Sequence, residues 1–126
     1  MSIRIVHDAN APTASIELPI LRPLPDYDLE RIEQPTARDI DPLLASQGFK
    51  DLLDEARAVF EREAAGRQLE LRQLTGAICH EGGVHRPGLW LLVRETGAGG
   101  QKPMSGEAQV HVAALAETLR QSLGIG

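Results

Sequence analysis

The sequence predicts an α+β fold, a mainly antiparallel sheet of about four strands with two to three helices in the order β-β-α-α-β-β-α. Two segments near the start and two in the second half alternate polar and apolar residues, or run apolar, with short turn-rich stretches between the members of each pair. Two other segments carry apolar residues at spacings of three and four, the mark of a helix with one buried stripe. The helical segments separate the strand pairs, so each pair closes locally as a hairpin. At 126 residues and 42% hydrophobic content, one domain over residues 1–126 is expected, containing a Pro-rich polar connector at 22–41.

Residues 2–6, SIRIV, and 15–21, SIELPIL, form the first strand pair, joined across the turn formers of HDANAP. Pro19 lacks an N–H and removes one ladder bond, which predicts that the second strand lies at a sheet edge, at least locally. The connector holds four prolines between residues 22 and 42, and extended geometry is expected until about Asp39. Its RPLP stretch has the form of half a polyproline ligand, a short pattern that is common by chance.

Asp41 followed by Pro42 fits an N-cap with proline at the first helical position, and Gly48 fits the stop of a short helix. From Phe49 to Ala65 a longer helix follows. Its stripe is Phe49, Leu52, Leu53, Ala56, Val59 and Phe60, with Gly66 as its stop. In QLELRQLTGAIC, residues 68–79, the alternation changes phase after Arg72, which predicts a long strand with a bulge near Gln73. LWLLV, residues 89–93, is apolar on both faces and therefore central and covered on both sides, or packed against a partner chain. Ser105 caps a last helix with the stripe Ala108, Val112, Leu115, Leu119 and Leu123, the small flank Ala113, Ala114 and Ala116, and the stop Gly124.

Composition excludes several function classes. Net charge is −5, and twelve of the eighteen acids fall between Asp26 and Glu70, so a surface that neutralises phosphates is not expected. Tyr27, Phe49, Phe60 and Trp90 are the only aromatics, too few to build a stacking platform for bases. The chain contains no apolar run of roughly 18 residues, and no membrane partner is expected. One cysteine permits no internal disulfide, in agreement with a reducing, cytoplasmic setting. Eleven arginines against two lysines, with abundant alanine, fit GC-rich bacterial coding.

Chemistry-bearing residues concentrate in ICHEGGVHRPGLWLLV, residues 78–93. A two-residue turn at Gly82 and Gly83 pairs residues whose numbers sum to 165, which sets Glu81 opposite Val84, His80 opposite His85 and Cys79 opposite Arg86. A four-residue loop from Glu81 to Val84 gives the same pairing. His80 and His85 then lie near enough to share a metal ion, although a stable zinc site ordinarily takes three or four protein ligands. HEGGVH lacks the helical spacing of HExxH, and no spacing ties His7 or His111 to the hairpin. Cys79 as a nucleophile with His80 as its base requires both on one face, whereas adjacent strand residues point to opposite faces. The loop GAGGQKP, 97–103, lacks the Gly-Lys-Ser/Thr ending of a phosphate-binding loop, and no cofactor is expected.

Without a convergent catalytic set, the expectation is a small, soluble, non-catalytic accessory or interaction protein that associates with itself, as a homodimer, or with another protein. LWLLV and the small flank of the last helix motivate it. The alternative is a small enzyme or metal-binding protein that gathers His80, His85 and Glu81 with His111 or His7.

Overall fold

A computed structural model describes residues 3–22 and 37–125 of the chain. The elements are β1 (Arg4–His7), β2 (Thr13–Pro19), α1 (Ala37–Leu44), α2 (Gln47–Ala64), β3 (Leu69–Glu81), β4 (Val84–Glu95) and α3 (Gly106–Leu123). The four strands form one antiparallel sheet in the order β1-β2-β4-β3. The fold class and element order are those the sequence predicts.

Alternation along the strands divides the sheet into two faces. On one face Ala14, Ile16 and Leu18 of β2 stand opposite Val93, Leu91 and Leu89 of β4, and all six are buried. They share one core cluster with Phe49, Leu52, Ala56, Val59 and Phe60 of α2 and Val112, Leu115 and Leu119 of α3. The helices thus cover a single face. Gly76 of β3 makes their approach possible on that side, since a Cβ there would lie 2.6 Å from the Phe49 ring.

Local signals explain the helix ends. Ser46 caps α2 by accepting the Phe49 N–H, and Gly66, at φ 80°, follows its C-terminus in the left-handed conformation that favours glycine. Ser105 caps α3 by accepting the Ala108 N–H, and Gly124, at φ 61°, donates to the carbonyls of Arg120 and Gln121. Beyond that stop Ile125 is buried, and its carbonyl accepts from Leu21 N–H at 2.8 Å, which fastens this residue beside β2.

Three expectations need correction. Gly48 does not stop a helix, because α1 ends at Leu44 and Gly48 lies in the first turn of α2, begun by the Ser46 cap. Asp41 and Pro42 do not open α1 either. The helix already runs at Ala37, so that Ile40 and Leu43, three apart, both reach the core, and Pro42 sits inside it. β2 is not an edge strand along its length, since it lies between β1 and β4. At Pro19, however, the described β1 register has already ended at Glu17, and the Ile20 N–H donates to the Pro87 carbonyl. Leu18 shares that orientation by alternation, so the Pro19 nitrogen faces the side where β1 pairing has stopped. Most of the Pro-rich connector, including RPLP after Arg22, lies outside the described residues.

The bulge falls where the phase change places it. Leu71 pairs with Val93 and Gln73 with Leu92, which leaves Arg72 as the extra residue. The hairpin register also has numbers summing to 165 at its tip, with Gly82 and Gly83 at φ 59° and 81° as a type I′ turn requires.

Candidate functional site

Two features at the sheet carry chemistry or unsatisfied surface: the face turned away from the helices and the hairpin tip. On the open face the register sets Trp90 between Glu17 and Thr75, and Leu92 between Ser15 and Gln73, with Val6 beyond Ser15. Trp90 and Leu92 are half-buried, and Val6 is 49% exposed. Val6, Thr13, Ser15, Trp90 and Leu92 line a shallow depression there. No helix among the described residues lies over it, so among these residues LWLLV is central and covered by helices on one side only.

Charges rim this apolar centre in nearly equal numbers. Arg4 and Glu17, cross-strand partners, approach to 4.0 Å. At the other end Glu70 pairs in register with Arg94 and meets Arg72 at 3.1 Å. On the helical side Asp51, Asp54, Glu55 and Glu61 of α2 are exposed together with Lys50, Arg57 and Arg62. Sequence reading missed Arg4, Val6, Glu17 and Thr75 as members of one surface. Alternation signals which residues share a strand face, but strand order is needed to bring four strands' residues together.

Cys79 belongs to the open side as well. It pairs in register with Arg86, beside Gly88, and is buried at 2% exposure without joining the helix-covered core. A Cβ on Gly88 would stand 2.1 Å from the Cys79 Sγ and 2.9 Å from the Leu18 carbonyl oxygen, so the thiol occupies the room that a glycine leaves. Arg4, Glu17, Pro19, Cys79 and His80 border a small recess nearby. Both residues border this recess, but alternation directs the His80 side chain to the opposite face of β3 from Cys79, so strand geometry does not set them as a dyad.

His80 and His85 do come together. Their ring centroids lie 4.4 Å apart with the planes tilted by 52°. His80 is exposed and His85 half-buried. The other two histidines are elsewhere: His7 pairs with Ala14, itself opposite Val93, so it lies toward the far end of the sheet. His111 of α3 is near the same far end, 3.8 Å from Glu107 and in a depression with Arg67, Gln68 and Glu95. Among the described residues, no group of three or more His, Cys, Asp or Glu side chains converges in a way that could hold a metal ion.

The clearest electrostatic anchor is structural. Glu95, at the end of β4, accepts from the Ser105 backbone N–H at 2.9 Å and from its hydroxyl at 2.7 Å. The backbone bond first, then the hydroxyl, holds this carboxyl below the usual glutamate range. Strand and helix cap are thereby tied together.

No protein-family model matches the chain. No curated protein and no solved structure matches it significantly. Among the described residues no helix is long and apolar enough to cross a membrane.

Proposed function

We propose that the protein is a non-catalytic interaction module that pairs with a second copy of itself through the open face of its sheet. The observation that carries this reading is the pair Trp90 and Leu92 on the central strand β4, with Val6 of β1 across Ser15 from Leu92, on a face over which no helix among the described residues lies, while the opposite side of β4 is packed. A tryptophan with a large apolar neighbour inside a polar rim is the composition of an interface centre.

Charge favours a second copy as the occupant. Arg4, Arg94, Glu17 and Glu70 balance across the sheet face, so two copies can meet there without net repulsion between their faces. Size sets the strength. Four strands about 4.8 Å apart and a shared length of roughly 24 Å offer about 450 Å² in plan. A face of that extent lies at the small end of interface sizes, so a weak association is expected.

Sedimentation equilibrium across the micromolar range tests it. The unmodified chain is expected to show a concentration-dependent rise toward twice its mass. Leu92→Arg, which puts a charge at the centre of the face, is expected to remain at 13.7 kDa with an unchanged circular dichroism spectrum. Equal behaviour of the two proteins contradicts the assignment.

A further inference from the structure

We propose that His80 and His85 are half of a divalent transition-metal site, completed by the same two residues of a second copy meeting it tip to tip. The geometry begins with the turn. In a two-residue hairpin the residues flanking the loop, here Glu81 and Val84, exchange both backbone hydrogen bonds. His80 and His85 are consequently a non-hydrogen-bonded pair, the kind in which opposite side chains approach most closely. With the ring centroids at 4.4 Å, side-chain torsions alone can aim one nitrogen of each ring at a shared ion. Tetrahedral ligation at about 2.05 Å sets such nitrogens roughly 3.4 Å apart. Imidazole suits zinc, copper and nickel.

The count of ligands among the described side chains, which do not include that of Glu81, points to a second copy. Zinc in a closed site takes four, the tip supplies two, and among the described residues no further His, Cys, Asp or Glu side chain completes a set with them. Cys79 faces the other side of the ribbon. The tip is also accessible. The last register pair of β2 with β4 is Pro19–Gly88 and the last backbone bond runs from Ile20 N–H to the Pro87 carbonyl, so the Cys79–Arg86, His80–His85 and Glu81–Val84 pairs extend beyond it as a two-stranded ribbon with exposed glycines at its turn. Two such ribbons related by a two-fold axis bring four imidazoles to one point, an isologous contact in which each copy gives what it receives. This site does not use the sheet face, and the two associations are independent.

The test uses the Leu92→Arg chain without a histidine tag, titrated with zinc ion alone. Bound zinc is measured by mass spectrometry after gel filtration, and molecular mass by sedimentation velocity. The expected result is one zinc per two chains with a doubling of mass, reversed by EDTA. His80→Ala and His85→Ala, each at the exposed tip, should weaken zinc binding at least tenfold and abolish the doubling, while the circular dichroism spectrum stays the same. Any other stoichiometry, zinc binding without a change of mass, or unchanged binding in the alanine variants overturns the proposal. Failure of the sheet-face pairing shows separately, as a metal-free unmodified chain that never exceeds 13.7 kDa.

Discussion

Leu91 and Leu92 are chemically identical neighbours on one central strand, yet they have different tasks. Leu91 is fully buried beneath the helices, opposite Ile16 and Leu74. Leu92 points the other way, half-buried between Ser15 and Gln73. The first holds the fold together, and the second is available to something outside it. What separates them is the period of two of a strand combined with helices that pack on one side only.

The largest expected effect is on the helix-covered face. Leu91→Ala leaves a cavity among residues that cannot close over it and should cost about 2 to 5 kcal/mol in urea unfolding. Leu92→Ala should cost the isolated chain under about 1.5 kcal/mol, because it starts half in water. Equal losses for the two would erase the distinction between the faces.

Gly88 sharpens the comparison from the open side. Gly88→Ala forces a methyl group against the Cys79 sulfur and the Leu18 carbonyl, an overpacking worth about 1 to 3 kcal/mol in thermal or urea unfolding. Adding Cys79→Ala should recover only part of that loss, since the carbonyl remains. Full recovery would mean that the thiol alone makes the position intolerant.

The smallest effect concerns the anchor at the sheet's far end. Since the folded-state pKa of Glu95 is depressed, its stabilising contribution is complete above the ordinary glutamate range and is lost as pH falls through the folded value. Glu95→Gln should therefore be slightly less stable than the unmodified chain at neutral pH, with the difference closing in acid. A difference that widened in acid would contradict the sign.

Much of this was legible in the residues. Stripes and caps located α2 and α3, alternation located the strands, and the glycine pair set the hairpin register to the residue. These are local signals, each written within a dozen residues. Strand order is not local: β2 joins β4 across some seventy residues of chain, and no pattern in either strand names the other. For that reason Pro19 could not be placed inside the sheet beforehand, nor Arg4 and Val6 assigned to the same surface as Trp90. The Gly48 expectation failed on competing signals, because a glycine stops a helix only when nothing nearby starts one, and Ser46 does. The approach of the two histidines was readable from register, whereas the distance of His7 and His111 from them required the fold.

Trp90 is the only tryptophan, so its fluorescence reports on the open face alone. Acrylamide quenching measured at rising protein concentration, without added metal, addresses the pairing most directly. If copies meet on this face, quenching weakens and the emission shifts to the blue as concentration increases, and Leu92→Arg removes both changes. Quenching that stays constant with concentration in the unmodified chain would contradict the assignment of this surface.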